Sequence, residues 1–285
     1  MFRNLKLLAM TVLLASCGQE SVSELDAVVD ATTGRWKARH NMRDGQFQAN
    51  LDQFSEQGFQ VRNLSGYTVN GSPRFLAVWD SNRRDQVVRY GLTKLNFELQ
   101  SERLEDQGYR LQDISGYEQN RSSRFAAIWV RDRNRDTLVF TDRSNDQFQR
   151  DFDIYSNRGY RLVNVSGYSI GGQARFASIW ERRSGPRYLV RHGISEDGLV
   201  ALTHQLGSEY RITDLTGYGD RGKIRFAVIL ERNNARQGFS EYSAKSDQYQ
   251  RKVETAVRLN LRITHAAGYH VGSKTRYILG TASSN

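Results

Sequence analysis

Residues 159–168 read GYRLVNVSGY, and close variants of this stretch recur along the chain. The variants end at Tyr67, Tyr117, Tyr168, Tyr218 and Tyr269, with spacings of 50, 51, 50 and 51 residues. Eight residues after each glycine of this Ser-Gly-Tyr motif stands an arginine that precedes an aromatic residue. These arginines are Arg74, Arg124, Arg175, Arg225 and Arg276. Offsets that repeat five times predict five tandem units of about 50 residues each.

One helix is predicted in each unit. In the third unit Phe148, Phe152 and Tyr155 follow the i, i+4, i+7 spacing of an apolar helix face. The helical segments of the first three units are followed by Gly58, Gly108 and Gly159, which predict left-handed helix C-caps. We expect the glycine of the Ser-Gly-Tyr motif to supply a positive φ or a β-bulge.

Three strands accompany the helix. In the second unit Phe125, Ala127 and Trp129 alternate with Ala126 and Ile128, so this strand has two apolar faces and is expected to be central in its sheet. A short strand precedes each helix, which gives the order strand, helix, strand, strand.

Such a unit cannot bury its own apolar faces, so neighbouring units must stack. We therefore predict an α+β tandem array that forms an open, curved repeat domain over residues 34–285. The expected units span about 34–80, 81–131, 132–182, 183–232 and 233–285. The sequence leaves undecided whether the two ends of the array meet.

The N-terminus has the features of an export signal. Residues 1–16 combine basic residues with an apolar stretch too short to span a bilayer, which predicts a signal peptide. Leu14-Ala15-Ser16-Cys17 then resembles a bacterial lipobox. The resemblance implies cleavage before Cys17, attachment of lipid to its thiol and acylation, for example with palmitate, of the new amino terminus.

Residues 17–33 are small, polar and acidic, and we interpret them as a tether between the lipid and the folded body. The residue directly after Cys17 is Gly18 and not an aspartate, which would indicate retention at the inner membrane. The expected location is therefore the cell envelope, at the outer membrane if the host is Gram-negative. Cys17 is the only cysteine, which excludes disulfides and cysteine catalysis in the mature chain.

The formal net charge is +10, carried mostly by arginine. A basic surface favours polyanions, although mixed-sign runs such as residues 131–136 are typical of solvated loops. The first predicted partner is the membrane, which the chain reaches through lipid on Cys17. The second is an anionic envelope polymer or a partner protein. Nucleic acid is not expected, because export places the chain in the envelope.

Several stretches together resemble the bacterial tandem repeat found beside serine hydrolase domains in polyglycine hydrolases. They are Trp36–His40 (WKARH), Gly108–Leu111 (GYRL), Val165–Tyr168 (VSGY) and Arg175–Trp180 (RFASIW). The resemblance covers roughly residues 34–282, nearly all of the mature chain. In those relatives the catalytic serine lies in a separate domain marked by Ser-x-x-Lys. No lysine of this chain follows that pattern, so the resemblance implies the accessory array alone.

No catalytic, cofactor or metal site is predicted. Gly-x-Ser-x-Gly is absent, and His265 and His270 lack other ligands at a metal-binding spacing. His40 and His192 share a repeat position with tyrosine and threonine of other units, which indicates a partly buried residue at a strand end rather than a catalytic one.

The repeated arginines and the tyrosines of the Ser-Gly-Tyr motif are the candidate ligand-binding residues. If the array curves, equivalent side chains line up, and arginines beside tyrosines suit carboxylate, phosphate or sugar ligands. The alternative is structural: the arginines bridge neighbouring units and the tyrosines fill the core between them.

Three functions therefore remain open. The first is a non-enzymatic envelope lipoprotein that acts as a binding or scaffold module. The second is an accessory subunit that presents substrate to a separate serine hydrolase. The third is an unrecognised hydrolase on the concave face of the array.

Overall fold

The computed structural model of the protein describes residues 29–30, 36–81, 84–132, 136–233 and 237–283. Each of the five units contributes its own antiparallel sheet of three strands, with the last strand of the unit in the centre. A two-residue strand, β1 (Val29–Asp30), adds a fourth strand to the outer edge of the first sheet. The predicted α+β array of strand-helix-strand-strand units is confirmed.

The remaining elements follow in chain order. Unit 1 contains β2 (Trp36–Met42), α1 (Asp44–Glu56), β3 (Gln60–Val69) and β4 (Ser72–Asp80). Unit 2 contains β5 (Gln86–Leu92), α2 (Lys94–Asp106), β6 (Tyr109–Gln119) and β7 (Ser122–Arg131). Unit 3 contains β8 (Thr137–Arg143), α3 (Asn145–Asn157), β9 (Tyr160–Ile170) and β10 (Gln173–Arg182).

The last two units keep this order. Unit 4 contains β11 (Tyr188–Ile194), α4 (Glu196–Leu206), a 3-10 turn (Gly207–Glu209), β12 (Tyr210–Asp220) and β13 (Lys223–Arg232). Unit 5 contains β14 (Gln237–Ala244), α5 (Ser246–Arg258), β15 (Leu261–Val271) and β16 (Lys274–Ser283).

Local sequence sets the helix ends. The Ser144 side chain accepts a hydrogen bond from the backbone N–H of Gln147 and so caps the first turn of α3. After the first three helices, Gly58, Gly108 and Gly159 have φ values of 81°, 84° and 82°. These glycines adopt the left-handed conformation that was predicted for them.

The core lies between units rather than within them. Phe125, Ala127 and Trp129 of the central strand β7 pack with α2 and with unit 3. The opposite face of β7, which includes Ala126 and Ile128, packs with α1 and the sheet of unit 1. The prediction of a central strand buried on both faces is confirmed, and each central strand joins two neighbouring cores.

The fifth unit packs on the first in the same way. Tyr249 and Val253 of α5 lie in one core with Leu76 and Val78 of β4. We call the strand that follows each helix the inner strand of its unit. The inner strand of unit 1, β3, touches both β6 of unit 2 and β15 of unit 5. The two ends of the array therefore meet. The five sheets stay separate around a common axis, so the predicted open repeat domain is confirmed in the sense that its sheets do not merge into a closed barrel.

The glycines of the Ser-Gly-Tyr motif do not have positive φ values, and the expected backbone role is wrong. Their register is regular, and the β-bulge lies a few residues earlier, as between Val61 and Asn63. Each glycine instead lies under the tyrosine ring of the next unit. The pairs are Gly66 with Tyr117, Gly116 with Tyr168, Gly167 with Tyr218, Gly217 with Tyr269, and Gly268 with Tyr67. A Cβ atom would stand only 2.3–2.5 Å from the ring at all five positions.

We predict that Gly116→Ala destabilises the protein by more than about 2 kcal/mol, because the new methyl group would overlap the buried Tyr168 ring. Gly45→Ala in α1 is the matched control, since a Cβ there meets no atom within 4 Å and alanine favours a helix. Urea unfolding of both variants measures the difference. A loss below about 1 kcal/mol for Gly116→Ala would contradict this role of the glycine.

Candidate functional site

The β-hairpins that join the inner and central strands turn at one end of the ring. Equivalent hairpins adjoin, because Thr68 Oγ1 donates to the Glu118 carbonyl and Ser169 Oγ donates to the Gly219 carbonyl. We call this surface the hairpin end. It comprises residues 68–74, 118–124, 169–175, 219–225 and 270–276.

The hairpin end is strongly basic, with nine basic and two acidic residues. The basic residues are Arg74, Arg121, Arg124, Arg175, Arg221, Lys223, Arg225, Lys274 and Arg276. Both acidic side chains are bonded to the backbone of a neighbouring unit. Glu118 Oε2 accepts from the Gly171 N–H at 2.7 Å, and Asp220 Oδ1 accepts from the Ala174 N–H at 3.3 Å. The hairpins therefore have a clear excess of positive charge, and the Asp142 carboxylate, which accepts from Ser123 Oγ, adds a counter-charge at their edge.

The five repeated arginines lie in the hairpins, each directly opposite the tyrosine of its own unit, as Arg124 is opposite Tyr117. All five are half-buried. Each Nη1 donates to the carbonyl of the preceding residue at 2.8–3.2 Å. Within the described part of the chain none of the five forms an ion pair. Their hydrogen bonds stay within their own strands, so the structure does not place them as bridges between units.

Arginines at the opposite end of the same sheets have a different environment. Arg110 Nε lies 2.9 Å from Asp132, and Arg110 Nη1 lies 3.5 Å from Glu181 of the next unit. Arg161 similarly reaches Glu231 of the next unit at 3.2 Å. Arginine charge is therefore compensated at that end and left uncompensated at the hairpin end.

The tyrosines of the Ser-Gly-Tyr motif are buried, with only 2–5% of each residue exposed. Tyr117 Oη accepts from the Gly91 N–H at 2.9 Å, and Tyr168 Oη donates to Asp142 Oδ1 at 2.7 Å. Burial raises the pKa of Tyr117 well above its usual value. The structure thus places the tyrosines in the contacts between units, and of the two predicted sets only the arginines reach the surface.

A small cavity of about 60 Å³ opens on the axis at the hairpin end. The Ser-Gly-Tyr backbones of all five units line it. Its serine hydroxyls are engaged across units: Ser115 Oγ accepts from the Gly66 N–H at 2.9 Å, and Ser166 Oγ accepts from the Gly116 N–H at 3.0 Å. An activated nucleophile needs a neighbouring base, and neither of these serines has a histidine or carboxylate partner among the described hydrogen bonds.

A second ring of polar side chains stands three residues before each motif glycine. Its members are Asn63, Asp113, Asn164, Asp214 and His265. Three of them accept a backbone N–H of the preceding unit: Asp113 from Leu64 at 2.8 Å, Asp214 from Val165 at 2.7 Å and Asn63 from Ala266 at 3.0 Å. We call this set the polar clamp. Sequence reasoning missed it, although the recurrence of Asn and Asp at one repeat position was a signal.

The carboxyl groups of the polar clamp are strongly perturbed. Burial raises the pKa of Asp113 to about 6 and that of Asp214 to about 7. The nearby negative charge of Asp113 adds to the second shift. Perturbed carboxyls can mark an active site, but here their oxygens hold backbone N–H groups, which indicates a structural role.

Two histidines join a strand to the helix of the preceding unit. His40 Nε2 lies 2.8 Å from Ser246 Oγ of α5, and His192 Nε2 lies 3.1 Å from Gln149 Oε1 of α3. Burial lowers the pKa of His40 to about 4. Both side chains therefore lie at contacts between units.

The remaining sequence-based expectations concern metal ligands, membrane attachment and the N-terminal segment. The ranges that the structure describes contain no group of three or more His, Cys, Asp or Glu able to hold a metal ion. None of the helices in those ranges combines the length and the apolar character needed to cross a bilayer. The signal peptide, Cys17 and most of the tether lie outside the described residues.

Comparison with known families agrees with this architecture. The sequence model of the polyglycine hydrolase-like structural repeat matches residues 33–82, 84–132, 142–183, 185–233 and 239–277. These five segments make up well over half of the chain, and the chain belongs to this family. The predicted resemblance is confirmed. No curated protein matches the sequence.

We predict that the change in unfolding free energy caused by Asp113→Asn is more favourable at pH 8 than at pH 4.5. The pKa of Asp113 rises from 3.8 to about 6 on folding, so the folded state binds this proton more tightly. Its contribution to stability therefore falls as pH rises from about 4 to about 6 and remains lost above that range. The difference in unfolding free energy between variant and parent should change by about 2 kcal/mol across this window.

Asparagine already occupies this position in units 1 and 3, and Asn63 Oδ1 makes the equivalent bond to a backbone N–H. The new amide can keep the bond from Leu64 but loses the one that Asp113 Oδ1 accepts from Asn164 Nδ2, so the readout is the change with pH and not the offset at one pH. Denaturant unfolding at several pH values provides the measurement. Asn63→Asp is the reverse control and should steepen the pH dependence. A pH-independent difference between Asp113→Asn and the parent would contradict the perturbed carboxyl.

Proposed function

We propose that this chain is an exported, lipid-anchored binding module without an active site of its own, which holds a polyanion of the cell envelope against its hairpin end. The observation that carries this proposal is the row of five half-buried arginines that lack ion pairs among the described residues. The basic surroundings and the backbone bonds of Glu118 and Asp220 support it.

The chemistry of the guanidinium group suits such a ligand. A guanidinium has five N–H donors in a planar fork that matches phosphate and carboxylate oxygens. The bond from Nη1 to the preceding carbonyl uses one donor and orients the group, as for Arg124 and Ser123 at 2.9 Å. The remaining donors can bind oxyanions. Five equivalent groups on one face favour a repeating ligand, because several weak contacts act together.

A second candidate is favoured by the family itself, whose description refers to polyglycine hydrolases. In this reading the ring is an accessory subunit that presents substrate to a separately encoded serine hydrolase. The two candidates differ in their partner: an envelope polyanion in the first and a hydrolase with a Ser-x-x-Lys motif in the second. Co-purification of such a hydrolase with the tagged chain would favour the second candidate.

We predict that Arg124→Ala combined with Arg175→Ala weakens binding to an envelope polyanion by roughly 25-fold, at about 1 kcal/mol for each lost cation. The measurement is co-sedimentation of residues 18–285 with peptidoglycan sacculi, with lipopolysaccharide and with a non-envelope polyanion, across a salt series. Saturable binding to one envelope polymer that survives physiological salt is the expected result for the parent chain.

The matched control is Arg131→Ala combined with Arg182→Ala. These residues end the same strands, β7 and β10, at the opposite end of the ring, so the change in net charge is identical. The control should bind within about two-fold of the parent, since its charges lie beyond a Debye length from the hairpin end. Equal losses for both variants, or equal salt-labile binding to every polymer, would contradict specific recognition at the hairpin end.

A further inference from the structure

The direction of β1 indicates where the tether enters the ring. β1 pairs antiparallel with β2, with Val29 opposite Ala38 and Asp30 opposite Lys37. β2 itself runs towards the hairpin end, from Trp36 at the far end of β4 to Met42 beside Phe75. β1 therefore runs away from the hairpin end. The start of β1 therefore points towards the hairpin end.

The length of the preceding segment is compatible with a lipid anchor at the hairpin end. Val29 is twelve residues after Cys17. Fully extended, this segment spans roughly 40 Å, at 3.3–3.6 Å per residue. A strand as long as β3, with ten residues, spans roughly 33 Å. Val29 is level with Ala38 and Val78, about 20 Å from the Ser72 end of β4 at 3.3 Å per residue. The tether is therefore long enough to place the lipid anchor beside the hairpin end.

Charge on the hairpin end complements a phosphate surface. Arg121, Arg221, Lys223 and Lys274 are exposed at the hairpin turns, in addition to the half-buried row of five arginines. All five helices also begin at this end, but acidic residues in the first turns of four of them offset the positive potential of their N-termini, so the basic charge of this end comes from the hairpins. Each basic residue near an anionic membrane surface strengthens association by roughly five-fold. A lipid anchor raises the effective concentration of the hairpin end at the membrane surface, so several individually weak contacts suffice for docking.

From these observations we propose that the hairpin end docks on the anionic phosphate headgroups of the membrane that holds the lipid on Cys17. This inference rests on the proposed function, because it uses the same basic end and the same anchor. It adds that the polyanion is the membrane surface itself. The opposite end of the ring, where arginines are ion-paired, then faces away from the membrane.

The test measures the orientation of the full, lipidated chain in vesicles. A cysteine is introduced at the hairpin end by Ser122→Cys or at the opposite end by Gln107→Cys; both positions are exposed and belong to unit 2. Each variant receives a thiol-reactive fluorophore. The thioether at Cys17 blocks its own thiol, so the label reports only the new site. Vesicles carry quencher-labelled headgroups and contain either phosphatidylglycerol or phosphatidylcholine alone.

We expect several-fold stronger quenching at position 122 than at position 107 on phosphatidylglycerol vesicles. The difference should shrink on phosphatidylcholine and at 1 M salt, where the Debye length is about 3 Å. Adding Arg121→Gln and Arg221→Gln should reduce it, whereas Arg131→Gln and Arg182→Gln should not. Such a pattern supports docking of the hairpin end.

Equal quenching at the two positions, or stronger quenching at position 107, overturns the membrane inference. If co-sedimentation with a polymer still depends on Arg124 and Arg175 in that case, the proposed function stands and its ligand is the polymer. Labelling of Cys17 in the chain without an introduced cysteine would show an unmodified thiol. That result overturns both the inference and the anchoring part of the proposed function.

Discussion

The contact between a tyrosine ring and the glycine of the preceding unit is the constraint on which the rest of the ring depends. At each of the five contacts the ring lies where a Cβ atom would otherwise be. The same ring meets an aromatic side chain of the preceding unit edge-on, as Tyr117 meets Phe75 at 5.6 Å between centroids. Because only glycine permits this approach, the inner strands stand close enough for the serine and polar-clamp hydrogen bonds to form across units.

The contact between units 4 and 5 shows how local changes compensate one another. The polar-clamp position of unit 5 is His265, and the residue opposite in the sheet is Gly280 in place of the Val or Ile of other units. A Cβ at Gly280 would stand 1.9 Å from the imidazole, so the smaller residue makes room for the larger one. Without an equivalent acceptor in unit 5, the Leu215 N–H donates to Asp214 of its own unit. The meeting point of the chain ends, between units 5 and 1, retains both kinds of bond, from Ala266 to Asn63 and from Gly268 to Ser65.

Much of the fold could be predicted because the repeat presents the same pattern five times. Apolar spacing gave the helices, and the glycines after them gave the helix caps. The role of the motif glycine could not be predicted, because its tyrosine partner is one unit away and only the stacking of units brings the two together. The meeting of the ends depends on a small rotation between neighbouring units, which no local pattern records.

The candidate site, too, could be predicted only in part from the sequence. The repeated arginines were visible as a row, since their offset from the motif glycine never varies. The lack of ion pairs at that row could not be predicted, because it depends on which carboxylates bind other arginines or backbone N–H groups in the folded chain. Arg110 and Arg161 have carboxylate partners from neighbouring units, whereas Glu118 and Asp220 of the hairpin end bind backbone N–H groups instead. This division leaves one end of a rigid ring basic, and the proposals on ligand and orientation rest on that asymmetry.

Five equivalent contacts between a tyrosine ring and a glycine join the units, and the last of them joins unit 5 to unit 1. Pulsed electron paramagnetic resonance tests it most directly, with spin labels at equivalent exposed hairpin positions of residues 18–285. One pair, Ser72→Cys with Ser122→Cys, spans units 1 and 2, and the other, Ser72→Cys with Lys274→Cys, spans units 1 and 5. If the ring is closed, both pairs give the same distance, within the reach of the labels. A clearly longer distance for the second pair would contradict it, because the ends of the array would then stand apart.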